Sequence, residues 1–165
     1  MRYLQRYMPT TWAFRRVMNR KIKKSLAYHG GEPEESAELL DDLVARLTDA
    51  GALDDERWAT SRAEELHRRG TPIRGIDAKL RQKGIDSATI QSAIAALKES
   101  LEDDDPDVAA AWAYARRRRL GPFRWDPEVR AERREKDLAA MGRAGFHWGL
   151  AQGIVNGAHS DEDLE

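Results

Sequence analysis

Apolar residues return every three or four positions along most of this chain, the spacing of a helix with one buried face. Phe14, Val17, Met18, Ile22 and Leu26 form one such stripe, and Leu39, Leu40, Leu43, Val44 and Leu47 a second. Ile90, Ala93, Ile94, Leu97 and Leu101 form a third, and Val108, Ala111, Trp112 and Ala115 a fourth. Ile73, Ile76 and Leu80 make a sparser one. Strand-like alternation of β-branched residues is absent, and Ala, Leu, Arg, Glu and Lys dominate, all good helix formers. Trp12, Trp58 and Trp112 fall on apolar faces and are expected in the core, whereas Trp125 and Trp148 lie in or beside loops.

Punctuation divides the pattern. Thr71-Pro72, Asp105-Pro106 and Asp126-Pro127 each set a capping side chain before a proline, and Glu32-Pro33 is a weaker version. Proline costs nothing in a first turn, where its missing N–H has no intrahelical partner. Gly30-Gly31, Gly51, Gly70, Gly84, Gly121 and Gly145 are expected stops, because glycine takes the left-handed C′ conformation freely. These signals predict helices over 1–8, 11–28, 34–50, 55–69, 72–83, 87–102, 106–119, 127–144 and 147–156. Two starts share a further device. Leu53 precedes Asp54 with Trp58 four places after the cap, and Ile85 precedes Asp86 with Ile90 four places after it. This is the spacing of a hydrophobic staple around an Asp N-cap. Gly145-Phe146-His147, with Ala151 in the corresponding place, reads as a degraded copy, 61 residues beyond Gly84-Ile85-Asp86.

The recurrence predicts an all-α chain, an elongated array of three tandem three-helix repeats. The repeats are expected over 1–50, with a divergent basic second helix, 51–104 and 105–157, followed by an acidic tail over 158–165. A unit of about 50 residues buries too little surface to be stable alone, so neighbours must supply burial. The acidic stretch 102–107 is the expected linker between the second and third repeats.

Charge sharpens this picture. The 165 residues carry 28 basic and 29 acidic side chains, a net of −1. By segment the sign alternates. Residues 1–30 hold eight basic groups and no acid, 31–56 one and ten, 57–84 eight and three, 85–107 one and seven, 108–145 ten and five, and 146–165 none and four. Neither a bulk polycation nor an acidic disordered tail fits this balance. No apolar run approaches the ~18 residues of a membrane span, and Met1 to Arg6 contains no apolar signal-peptide core. There are no cysteines, hence no disulfide framework or thiolate zinc site, and a reducing cytoplasm is the expected compartment.

Several short motifs, in order, carry a resemblance. Gly51-Ala52-Leu53-Asp54-Asp55-Glu56-Arg57-Trp58-Ala59 resembles the Gly-x-Leu-Asp-Asp-x-Arg-Phe-Ala signature of the RecX family, bacterial regulators of the RecA recombinase. Arg68-Arg69-Gly70-Thr71-Pro72-Ile73-Arg74 resembles that family's Arg-x-Gly-x-x-x-Arg segment, and Leu80-Arg81-Gln82-Lys83-Gly84-Ile85 its Leu-x-x-Lys-Gly-Ile motif. Ala115 to Phe123 and Arg143-Ala144-Gly145-Phe146 are similar to its C-terminal repeat. The resemblance spans about residues 50–157 and thins over 1–50. Trp58 replaces the usual Phe, and His147-Trp148-Gly149 departs from the usual capping sequence, so a weaker or shorter last helix is expected. The resemblance implies a modular array binding along the groove of the RecA–single-stranded DNA filament and lowering recombinase activity. It implies a non-enzymatic monomer that takes no cofactor and no metal, with weak affinity for single-stranded DNA alone.

Candidate contact residues follow from the basic segments. They are Arg15, Arg16, Arg20 and Lys24 in the first; Arg57, Arg68, Arg69, Arg74, Arg81 and Lys83 in the second; and Arg116, Arg117, Arg118 and Arg119 in the third. Four consecutive helical residues sweep about 400°, so the Arg116–Arg119 run cannot all face one partner. A solvated helix end is the competing reading of that run. Arg57 has a competing role in a local ion pair. Asp54 and Asp55 point about 100° apart, which suits capping better than paired acid–base chemistry. The four histidines, His29, His67, His147 and His159, lack metal-ligand spacing, and no phosphate-cradling or nucleophile-elbow motif is present. Trp125 is a candidate for stacking on a base. A stand-alone helical nucleic-acid-binding module is the alternative function.

Overall fold

Side-chain caps open six of eight α-helices in the structure, a computed structural model that describes residues 9–101 and 105–157. The helix expected over 1–8 and the acidic tail over 158–165 lie outside the described residues. The helices are α1 Thr11–His29, α2 Pro33–Asp49, α3 Asp55–Arg68, α4 Ile73–Arg81, α5 Ser87–Glu99, α6 Pro106–Arg118, α7 Pro127–Ala144 and α8 Trp148–Asn156. A 3-10 turn, Gly121–Phe123, stands between α6 and α7. Every regular element among the described residues is helical.

Thr10 caps α1 by accepting from the Ala13 N–H at 3.2 Å, and Asp54 caps α3 through the Arg57 N–H at 2.9 Å. Asp86 takes the Ala88 and Thr89 N–H groups of α5, both at 3.0 Å. Asp105 and Asp126 cap α6 and α7, each at 2.9 Å. His147 Nδ1 accepts from the Gly149 N–H at 3.2 Å, so the degraded third start still caps a helix, though α8 has nine residues against thirteen in α5.

Three expectations about ends change. Thr71 caps nothing: Pro72 is the N-cap of α4, and the Ile73 N–H is satisfied by Asp107 Oδ1, 2.7 Å away on α6. Glu32 makes no side-chain cap on α2. The stop after α6 is Arg119 rather than Gly121, with φ 53° and ψ 54°. Gly121 instead opens the 3-10 turn, where a Cβ would lie 2.7 Å from Val155 Cα.

Three apolar clusters follow one another along the chain. Phe14, Leu40, Val44 and Leu53 form the first, with Met18, Ile22, Leu43 and Leu47 around it. Ala59, Ala63, Leu66, Ile76, Leu80, Ile85, Ile90, Ala93 and Leu97 form the second, inside α3, α4 and α5. The third joins α6, α7, α8 and the 3-10 turn around Ala111, Trp112, Ala115, Leu138, Met141, Phe146, Ala151 and Ile154. Each fully buried Leu or Ile contributes about 1.5–3 kcal/mol, so the four-residue first cluster has the least to hold it. Ile85 and Ile90 share a cluster, as do Phe146 and Ala151. Leu53 and Trp58 do not: Leu53 belongs to the first cluster and Trp58 packs on the second. One stripe member, Leu39, and one tryptophan expected in the core, Trp12, are corrected. Leu39 is 66% exposed and Trp12 43% exposed. Trp12 is two residues from the buried Phe14, hence about 200° around the helix, turned from the first cluster and set against Gly84 instead.

Neighbouring clusters are bolted together by one recurring device. An aspartate in the first turn of one helix accepts the first free N–H of a helix in the preceding group. Asp55 of α3 takes the Thr11 N–H of α1 at 2.8 Å, and Asp107 of α6 takes the Ile73 N–H of α4 at 2.7 Å. Glycine lets the backbones close at each joint. A Cβ on Gly84 (φ +78°) would lie 2.3 Å from Trp12 Cβ, and one on Gly70 (φ +76°) 2.4 Å from the Tyr114 nitrogen. Thr10 Oγ1 donates to the Lys83 carbonyl at 2.8 Å, and His67 Nε2 lies 2.7 Å from the Pro106 carbonyl oxygen. The segment read as a linker thus supplies a cap through Asp105 and a clamp through Asp107.

Candidate nucleic-acid interface

Helix geometry gathers four basic residues of α1 into one groove. Trp12, Arg15, Arg16, Asn19, Arg20 and Lys23 recur at three- and four-residue steps, so they share a face. They line a groove of about 610 Å³. The Arg16 guanidinium stands 5.3 Å from the Trp12 ring centroid, a cation–π contact. Arg15 is paired with Asp41 of α2.

A second groove, about 340 Å³, lies at the joint of the second and third clusters. Gly70, Thr71 and Pro72 form one wall, Tyr114 and Ala140 another. Lys79, Arg117, Arg118 and Arg143 line it, and none of its lining residues is acidic. Lys79 Nζ donates to Thr71 Oγ1 at 3.3 Å, and Arg117 lies 5.7 Å from the Tyr114 ring centroid. The close approach allowed by Gly70 brings the two cationic walls together.

The third groove, about 700 Å³, is formed by the segment from Pro122 to Asp126 together with Arg119, Val129 and Arg130. One of its lining residues, Arg124, is fixed by a buried ion pair. Asp137, 1% exposed on α7, accepts from Arg124 Nη2 at 2.6 Å, Arg124 Nε at 2.8 Å and the Gly121 N–H at 2.9 Å. Burial pushes the Asp137 carboxyl up, but the Arg124 guanidinium and the Gly121 N–H outweigh it and hold the group below its ordinary value. The same bond raises Arg124. Phe123 stands edge-on to Trp112, centroids 5.6 Å apart, and Arg116 lies 5.5 Å from the Phe123 ring. Trp125 projects outward, 98% exposed.

The Arg116–Arg119 run therefore divides. Arg116 covers Phe123, Arg117 and Arg118 enter the joint groove, and Arg119 enters the third. Arg15, Arg16 and Arg20 share the first groove, and Lys24 is exposed outside its lining. Arg57, Arg68, Arg74 and Lys83 are exposed and line none of the three grooves. Arg69 pairs with Glu65 at 2.9 Å, and a hydrogen bond from Arg62 holds the Glu65 carboxyl below its ordinary value. Arg81 grips Asp77 through Nε at 2.6 Å and Nη2 at 3.3 Å, and donates to Ser87 Oγ at 3.0 Å. Arg124, Arg130 and Arg143 were absent from the candidate set. Their only signal was arginines flanking the Gly-Pro and Asp-Pro punctuation between α6 and α7, and the glycine that ends α7.

Among the described residues no three His, Asp or Glu side chains are placed to hold a metal, and no helix is long and apolar enough to cross a membrane. The fold and grooves define an all-helical protein of successive helix groups that carries cationic, aromatic-edged grooves. The chain belongs to the RecX family of regulatory proteins. A family model, RecX, second three-helix domain, matches residues 54–94, the span from the Asp54 cap to Ile94 of α5. The chain is similar to the regulatory protein RecX of Myxococcus xanthus, 38% identical over 94% of this chain and 81% of that one. It is similar to that of Agrobacterium fabrum, 30% identical over 98% of this chain and 81% of the relative. It is also similar to that of Mycolicibacterium vanbaalenii, 30% identical over 86% and 74%. No solved structure matches it.

Proposed function

We propose that this chain binds the RecA-type recombinase filament on single-stranded DNA and inhibits its recombinase activity and ATP hydrolysis, modulating recombination, DNA repair and the SOS response in the cytoplasm. In this reading it is a monomer that acts by binding and catalyses no reaction, and its three helix groups are successive binding modules. The observation that carries the reading is the joint groove: four cations with no acid in the lining, in a chain related to regulatory RecX proteins over nearly its whole length. Cations spaced along tethered modules suit a periodic polyanion, since weak contacts add when they are linked.

The test is RecA ATP hydrolysis on circular single-stranded DNA with increasing amounts of the chain. Inhibition at stoichiometric amounts is expected, weakened by charge reversal at Arg117 and Arg118. Unchanged hydrolysis, together with tight binding to DNA alone, would favour a stand-alone nucleic-acid-binding module instead.

A further inference from the structure

We propose that the groove at Trp125 is a single-strand site: one unpaired base stacks on the Trp125 indole, and the phosphates beside it meet Arg119 and Arg130. The proposal deepens the reading above and rests on it for the presence of nucleic acid.

Trp125 is a large aromatic ring left almost wholly in solvent, 98% exposed, yet its backbone is held on both sides. Arg124 before it is locked to the buried Asp137 by two hydrogen bonds, and Asp126 after it caps α7. An exposed ring on an anchored backbone is offered with part of its ordering cost already met by the fold. The charge around it is mostly positive: three arginines line the groove against one aspartate. Arg119 has no side-chain partner among the described residues, and its left-handed backbone sets it at the turn out of α6. Arg130 donates through Nε to the Arg124 carbonyl at 2.8 Å, which fixes the side chain and leaves its terminal nitrogens to a ligand. The one acid in the lining, Asp126, is occupied by the Glu128 N–H at 2.9 Å.

An exposed ring in a groove with more cations than acids, its one carboxylate engaged as a helix cap, matches a base flanked by phosphates. Stacking of this kind tolerates any base, because every base has a π-face. It does not tolerate a duplex, whose bases already cover one another. The site adjoins the joint groove along the chain: Arg117 and Arg118 line that groove and Arg119, the next residue, lines this one.

The experiment is fluorescence anisotropy of a labelled oligothymidylate about fifteen nucleotides long, within the site sizes such grooves cover. It is titrated with the full chain, with Trp125→Ala and with Trp125→Phe. A strand of equal length made of abasic sites is titrated in parallel. Trp125→Ala should weaken thymidylate binding about tenfold, and Trp125→Phe should keep most of the affinity. The abasic strand should bind the full chain and Trp125→Ala alike, and excess duplex should not displace the thymidylate. Because the side chain is exposed, an unchanged circular dichroism spectrum is expected for both variants.

Equal thymidylate affinity for Trp125→Ala and the full chain overturns the proposal. So does an equal loss on the abasic strand, or no measurable thymidylate binding by the full chain. RecA ATP hydrolysis measured on the same variants separates the two readings. Loss of inhibition in Trp125→Ala with unchanged strand affinity places the indole against protein and overturns the base site alone. Trp125-dependent strand binding without any inhibition by the full chain leaves the base site standing and overturns the regulatory reading.

Discussion

Asp137 is 1% exposed and keeps its charge because three donors converge on it. Removing one partner of a buried pair costs about 3–5 kcal/mol, because the other is left uncompensated. Arg124 is 25% exposed in its side chain and regains some water when freed, so Asp137→Ala should cost about 2–3 kcal/mol, read as a lower urea midpoint. The ion pair also makes stability depend on pH. The carboxyl is held below its ordinary value, so the folded chain takes up the proton less readily than the unfolded one. Its stabilisation is complete above the ordinary carboxylate range and is lost as pH falls through the depressed value. Urea midpoints measured from neutral pH downward should fall less in Asp137→Asn than in the parent. This pair was not legible in the sequence. Its members lie 13 residues apart across a loop, a spacing no helical periodicity links. Trp12 departs from expectation for a related reason: its residue type suits an apolar stripe, but its phase, about 200° from Phe14, does not.

Helix starts and stops were the most legible level, because a cap is a local bargain between a side chain and an N–H two or three residues on. Asp54, Asp86, Asp105 and Asp126 all cap where the sequence put them. Where the partner is distant, the sequence is silent. Asp107 completes α4 from 34 residues away and Asp55 completes α1 from 44. The joints are thus built from the same chemistry as the caps, but across helix groups. Asp107→Ala and Asp55→Ala should each cost about 1 kcal/mol, the usual worth of a cap. They share no partner, so the double variant should lose the sum within about 0.5 kcal/mol. Gly70→Ala is a harsher change. Its Cβ would meet backbone on Tyr114 and Ala110, at 2.4 and 2.7 Å, at a φ of +76°. Backbone cannot yield as a side-chain tip can. A loss above about 2 kcal/mol is expected, again by urea unfolding, with a wider change in joint-groove binding than Asp107→Ala produces.

At the scale of the molecule, the net of −1 conceals which charges are available. The alternating segments were visible in the sequence, but a segment count treats every arginine alike. The structure separates them. Arg15, Arg69 and Arg81 are held in ion pairs, whereas Arg118 lines the joint groove with no side-chain partner among the described residues. Binding of single-stranded DNA releases counterions, and log K falls with log salt by about 0.7 for each phosphate neutralised. If the joint groove's four cations each meet a phosphate, they alone give a slope near −3. Arg118→Gln should then reduce the slope by about 0.7, measured by oligothymidylate anisotropy across a salt series. Arg81→Gln removes the same charge from a residue that already grips Asp77 twice. Its slope should match the parent. Equal slopes for the two variants would mean that overall charge, and not the grooves, governs binding. A difference confined to Arg118→Gln would assign the contact to the joint, where the close approach at Gly70 brings cations from two helix groups to one groove.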